Sequence, residues 1–272
     1  MTIRDATIRI RVLGSGTSVG VPTIGCHCAV CRSDDPRDKR QRPSILVSYE
    51  GRGGDRHVVI DTTPDFRRQA LEAGFSRLDA ILYTHAHADH IMGLDDIRPF
   101  NYGRRDRIPL YGDADTLQVI QRVFPYAFNS APTHPGGLPR VEAKVVDGRA
   151  LDLFGLSFQP VPVRHGPHLI TAYRFGRAAY VTDQSDIPEE SAPLLEGLDV
   201  LFLDALRREP HPMHSTLDQA LGWVERLRPR RAYFTHVCHD LSHAEVNDQL
   251  PPGVELAYDG LELDVAGSVS HG

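Results

Sequence analysis

Residues 84–90 read Thr-His-Ala-His-Ala-Asp-His, so His85, His87, Asp89 and His90 set four ligand-type side chains within six positions behind an apolar run. In an extended segment residues two apart face the same way, and His85 and His87 can grip one metal ion together. If the chain then turns into a helix, Asp89 and His90 swing to the other side and can hold a second ion. The small alanines between them leave room for close approach. Imidazole with carboxylate suits Zn, Mn or Fe better than Ca or Mg. Two such ions, roughly 3.5–4 Å apart with a hydroxide between them, form a hydrolytic centre. Reading these residues as ordinary surface polar groups is poor for ligand types packed so closely.

A second cluster is Cys26, Cys28 and Cys31. Thiolates at this spacing wrap a tetrahedral ion and leave its fourth position to a distant residue. A Cys-x-Cys disulfide would be a strained small ring, and a reducing cytoplasm disfavours bridges. His27 lies inside the cluster and is expected to point away. A closed four-ligand site has no open position for a substrate, so this one reads as structural.

The elements that must position these residues are visible in outline. β-branched runs bounded by Gly, Pro or polar clusters predict strands at 8–13, 45–49, 58–61, 80–83, 156–163, 170–175, 178–182, 200–203 and 232–235. Helices are predicted at 66–73, 189–195 and 216–227, the last capped by Ser215. Sheets covered by helices follow from this mixture. Four strands run into a potential ligand: Asp61, His85, Asp183 and His236. Strand ends along one edge make a natural site, because the sheet fixes position while the loops stay free.

The 272-residue chain is 41% hydrophobic and 24% charged, with a formal net charge of −6. This is the profile of a folded globular protein, and it argues against a nucleic-acid binder with a basic face. The Arg-rich run at 37–42 is short and reads as a solvated loop. No linker-like stretch divides the chain, so residues 1–272 are expected to form a single domain. The first residues lack a signal-peptide core and no run is long enough to span a membrane, which points to the cytoplasm.

The motif formed by His85, His87, Asp89 and His90 resembles the His-x-His-x-Asp-His signature of the metallo-β-lactamase superfamily. The resemblance implies an α+β fold, a four-layer αβ/βα sandwich of two mixed β-sheets flanked by helices, with the site at one edge between the sheets. It also implies that His165 completes the first metal, Asp183 bridges both and His236 completes the second. His168 and Asp186 are the nearby rivals of His165 and Asp183. Asp61 matches a non-ligand aspartate, expected to orient a ligand from behind.

A narrower resemblance rests on Gly14-Ser15-Gly16-Thr17-Ser18-Val19-Gly20-Val21-Pro22 with the cysteine cluster close behind it. The stretch from Gly93 to Asn101 and Thr235-His236-Val237-Cys238-His239 add to it. These are similar to the PhnP-type phosphodiesterases, named for the phosphoribosyl cyclic phosphate phosphodiesterase of the carbon–phosphorus lyase pathway. In that branch three cysteines and a late histidine hold a structural zinc. This implies His239 as the fourth ligand, with Cys238 as its rival, in a zinc-clip loop near 25–42.

The expectation is a metal-dependent phosphodiesterase. Its substrate would be a small, cyclic phosphodiester such as a phosphoribosyl cyclic phosphate or a cyclic nucleotide. Two catalytic divalent ions, Mn or Zn with Fe also suited, would activate a bridging hydroxide, with Asp89 at the catalytic centre. His214 matches a non-ligand active-site histidine of PhnP-like enzymes and is assigned the proton for the leaving oxygen; a locally bonded helix-start histidine is the alternative. Arg98 is a candidate fork for phosphate, against a salt bridge to Asp95 or Asp96. His243 is a candidate substrate contact. A homodimer is common in the superfamily. Competing functions with similar motifs are PqqB-like cofactor biosynthesis, thioester or lactone hydrolysis and tRNA 3′-processing, although no long basic arm for RNA is visible. A metal-dependent scaffold without turnover is the non-enzymatic alternative.

Overall fold

The computed structural model describes residues 2–129 and 137–271. In chain order its strands and α-helices are β1 (Thr2–Gly14), α1 (Ala29–Arg32), β2 (Ser44–Gly51), β3 (Gly54–Ile60), α2 (Phe66–Ala73), β4 (Ala80–Leu82) and α3 (Ala88–Ile91). There follow β5 (Ile108–Gly112), α4 (Ala114–Val123), β6 (Val141–Val145), β7 (Leu151–Leu153), β8 (Leu156–His165), β9 (His168–Phe175), β10 (Ala178–Val181) and β11 (Val200–Asp204). The last are α5 (Leu217–Leu227), β12 (Arg231–Thr235), α6 (His243–Asn247), β13 (Val254–Leu256) and β14 (Glu262–His271).

The hydrogen-bonded path runs β13-β12-β11-β10-β9-β8-β14-β1-β2-β3-β4-β5-β6, with β7 beside β8. Strands β3 to β6 pair in parallel, as do β10 to β13, and the central strands pair antiparallel. Two mixed sheets are therefore joined into one ladder, but only through the pair Val269–Leu156 between β14 and β8.

Alternation along the strands builds the layers. Ile8, Ile10, Val47, Val58 and Leu82 from one sheet meet Phe158, Tyr173, Phe175, Tyr180 and Phe202 from the other in an inner core. Their neighbours point outward. Leu46, Val59 and Ile81 pack with Phe66 of α2 and Leu117 and Ile120 of α4. Val181, Leu201, Leu203 and Phe234 pack with Leu217, Ala220 and Leu227 of α5. Helices, sheet, sheet and helices thus stack as four layers.

Two local expectations are corrected. The predicted helix at 189–195 is only a 3-10 turn, Ala192–Leu195, because Pro193 would fall inside that helix, where it has no N–H to give the Glu189 carbonyl; at the start of the shorter turn it is tolerated. The cap of α5 is Thr216, which forms a capping box with Gln219, while the Ser215 hydroxyl accepts from Gln184 Nε2.

Candidate metal centre

The C-terminal ends of the parallel strands converge on one edge. Asp61, Asp183 and His236 follow β3, β10 and β12 directly or within two residues, and each has left-handed backbone, with φ of 65°, 58° and 59°. That conformation costs an ordinary residue roughly 1–2 kcal/mol. Only Phe154 and Arg228 share it among the other non-glycine residues described, so backbone strain is concentrated at this edge. Helix α3 supplies Asp89 and His90, seated tightly because a Cβ at Gly93 would collide with the Thr63 carbonyl.

Two ligand sets form. His85, His87 and His165 bring one atom each to within 4.8 Å of one another, and Asp89, His90, Asp183 and His236 do the same. Asp183 lies between the sets, its Oδ1 3.3 Å from His90 Nε2 and its Oδ2 3.3 Å from His236 Nε2 and 3.9 Å from His85 Nε2.

The hydrogen bonds behind the rings fix which nitrogen faces the centre. Fully buried Asp61 accepts from Thr84 N at 2.9 Å, Thr84 Oγ1 at 2.8 Å and His90 Nδ1 at 2.7 Å. With its hydrogen committed to Asp61, Thr84 Oγ1 accepts from His85 Nδ1 at 3.0 Å. His165 Nδ1 donates to the Met213 carbonyl at 2.8 Å. Three imidazoles therefore keep Nδ1 engaged behind the ring and turn Nε2 inward, the nitrogen a metal would take. The Nε2 atoms of His85, His90 and His236 are buried with no hydrogen-bond partner among the described residues.

A divalent metal fits this donor set. Buried nitrogens without partners beside carboxylate oxygens are what a Zn-type ion satisfies and what a purely structural cluster would avoid. The charge balance points the same way. Burial, then the neighbouring His90, holds His85 well below the usual histidine range, and burial takes His165 to about 4. Burial also opposes the charging of His90 and His236, yet Asp183 and the other carboxylates lift His90 well above its ordinary value and His236 to about 9. The acidic groups attract cations strongly enough to draw in protons, which a bound metal would replace.

Beside these sets stands a pair that sequence reasoning did not assemble. Asp204, at the end of β11, contacts His214 Nδ1 through Oδ2 at 2.7 Å. The His214 ring stacks on His236 with centroids 4.5 Å apart, and lies 4.9 Å from His165. Burial raises Asp204 well above the carboxylate range and lowers His214 to about 4. A proton taken up by the pair removes its net charge. Either division of that proton between the partners leaves a hydrogen on His214 Nε2.

The cysteine cluster lies where the loops after β1 and β12 meet. Cys26, Cys28, Cys31 and His239 bring their ligand atoms within 4.8 Å of one another, His239 Nδ1 being 3.3 Å from Cys26 Sγ and 3.4 Å from Cys28 Sγ. The Cys31 amide and then His239 lower Cys28 to about 6, which favours a thiolate there, while burial raises Cys31 to about 11, so that thiol would lose its proton only to a bound ion. Cys238 is turned away, its buried sulfur accepting from Asp240 N and its thiol raised to about 12 by burial. His27 is exposed. Buried Arg40 ties the same loops together, donating to the carbonyls of Cys238 at 2.8 Å and Leu241 at 2.7 Å and pairing with Asp38 at 3.0 Å.

Two sequence-derived substrate contacts are not brought to the centre. Arg98 forms an ion pair with Asp95, so its fork is already engaged within its own turn. His243 is 3% exposed, packs edge-on against Tyr258 and gives its amide to Asp38. It belongs to the packing beneath the cysteine loop.

Comparison with known proteins agrees with this geometry. The profile of the Beta-lactamase superfamily domain matches residues 56–237. A solved diphosphatase from the PhnP family is 52% identical, with a TM-score of 0.89 over 98% of this chain and 99% of that one. Zn-bound PqqB from Methylobacterium extorquens shares the fold at 20% identity, with a TM-score of 0.73 over 94% of this chain and 100% of that one. A protein named octanoyltransferase from Porphyromonas gingivalis is 38% identical over 257 residues, which is 94% of this chain and 51% of the relative. The chain thus spans about half the length of that curated relative. With the superfamily profile over residues 56–237 and a PhnP-family structure 52% identical over nearly the whole chain, this protein belongs to the metallo-β-lactamase superfamily of hydrolases, in its PhnP branch.

Proposed function

We propose that this chain is a metal-dependent phosphodiesterase acting on a small phosphodiester, with a cyclic phosphate of ribose or of a nucleotide as the preferred class. His85, His87 and His165 would hold one divalent ion and Asp89, His90 and His236 the other, with Asp183 shared between them. Zn or Mn there supplies Lewis acidity and an activated water at neutral pH.

The observation that carries the reading is the Asp204–His214 pair. It stands against the two ligand sets, His214 also lying within reach of His165, Asp183 and His236, and a proton held by the pair would leave a hydrogen on His214 Nε2. An alkoxide leaving from phosphorus is a strong base and needs a proton in the transition state, whereas a thiolate leaving from a thioester does not. Asp204 fixes the ring's orientation and shares the pair's proton with it. The pair also argues against a scaffold without turnover, which would have no use for a proton donor beside its metals.

A second reading, hydrolysis of a diphosphate linkage, is favoured by the 52% identical PhnP-family diphosphatase. It uses the same groups, since that linkage too breaks a phosphorus–oxygen bond. The test is turnover by Zn- and Mn-loaded protein on cyclic and linear phosphodiesters, nucleoside diphosphate esters, thioesters and lactones. Cleavage of the cyclic diesters that His214→Ala abolishes is expected. Activity confined to thioesters or lactones would overturn the proposal.

A further inference from the structure

His211 lies three residues before His214, in the loop between β11 and α5. That loop is held at several points. Arg207 donates to the carbonyls of Glu209 at 3.1 Å and Pro210 at 3.0 Å, and His165 grips the Met213 carbonyl. Within the turn, Met213 N donates to His211 Nδ1 at 3.2 Å. A backbone amide can only donate, so Nδ1 is the acceptor and the ring hydrogen sits on Nε2. That Nε2–H has no partner among the described residues.

Its position gives it a use. Three rings lead outward in sequence, His236 to His214 at 4.5 Å and His214 to His211 at 5.0 Å. Exposure rises along the row: His236 is 1% exposed, the His214 side chain 11%, and His211 is half-buried. A phosphorus bound at the inner end, with its leaving oxygen at His214 Nε2, directs the rest of the leaving group past His211.

We propose that His211 is a specificity-determining residue that donates its Nε2–H to an oxygen on the leaving group. It would favour leaving groups that carry hydroxyl or phosphate oxygens near the scissile bond, as a sugar does, over plain aryl or alkyl groups. This rests on the phosphodiesterase reading.

The test separates the two ring nitrogens. Asn places an acceptor where Nδ1 stands and keeps the turn bond, but removes the outer donor. Gln places an amide N–H where Nε2 stands and gives up the turn bond. The readout is the ratio of kcat/KM for 2′,3′-cyclic AMP to that for diphenyl phosphate, with metal-loaded protein. His211→Asn is expected to lower that ratio about tenfold, the loss of one substrate hydrogen bond, and His211→Gln to restore most of it. An unchanged ratio in His211→Asn, or a fall in His211→Gln instead, would overturn the inference and leave His211 a turn residue. Wild-type protein that cleaves no phosphodiester while cleaving thioesters or lactones would overturn the underlying reading, and this inference with it.

Discussion

Replacing Asp61 by Asn probes how a buried carboxylate sets the state of a neighbouring imidazole. Asn is the same size and tolerates the left-handed backbone at this position, φ 65°, so the change adds no backbone strain. Its oxygen can keep the bond to Thr84 N, but its amide group then faces Thr84 Oγ1 and His90 Nδ1, both of which now donate to Asp61. The hydroxyl can rotate, whereas the ring must give up its Nδ1 hydrogen. That hydrogen moves to Nε2, the atom 3.3 Å from both Asp89 Oδ2 and Asp183 Oδ1 and the one needed as a ligand. Holding the ring in its former state forfeits a hydrogen bond to a charged group, about 1.5–3 kcal/mol, or roughly 10- to 100-fold in metal affinity. Zinc titration against a competing chelator should show this loss at one ion, with a smaller change at the other, which Asp61 reaches only through Thr84 and His85. Wild-type affinity for both ions in the folded variant would refute the reasoning.

Three further outcomes are expected. Asp204→Asn should lower kcat by about a hundredfold with little change in KM, since it disorients the proton donor and leaves the ligand sets intact; steady-state kinetics checks this. Cys28→Ser should remove about one zinc per chain by elemental analysis and lower the melting temperature, because a closed thiolate site contributes to folding directly. Gly93→Ala should push α3 away from Thr63, so metal retention after dialysis should fall even though no ligand is altered.

Much of the candidate centre was legible because its ligand-type residues are written locally. His85 to His90 form a contiguous motif, and Asp61, Asp183 and His236 close apolar runs whose parallel pairing brings their ends together. Asp204 also ends such a run, Val-Leu-Phe-Leu-Asp, but its role depends on the following loop returning His214 to it. No spacing rule encodes that return. Arg98 and His243 have partners that residue type does not reveal either. Residue type offered a phosphate fork and an imidazole, whereas the structure pairs the one with Asp95 and packs the other on Tyr258. Strand β14 went unread because Ala266, Gly267 and Ser268 dilute its alternation. The glycine is required there, since a Cβ at Gly267 would strike the Ile8 side chain across the sheet. Tertiary packing decided that residue.

The pairing of β1 with β14 sets Thr2 opposite His271, and the cysteine loop ties Cys26 to a residue 213 positions away. A growing chain therefore exposes His85 to His90 long before the partners that complete the centre exist. At synthesis rates of roughly 5–20 residues per second, His236 follows them by about seven to thirty seconds. Until β14 arrives, β1 is an open edge and the second sheet has no seam to join. Such distant pairings are slow to form, and the order of events is fixed by the topology. A metal captured early by the first histidines would meet a half-built site, so complete loading has to wait for the last strand.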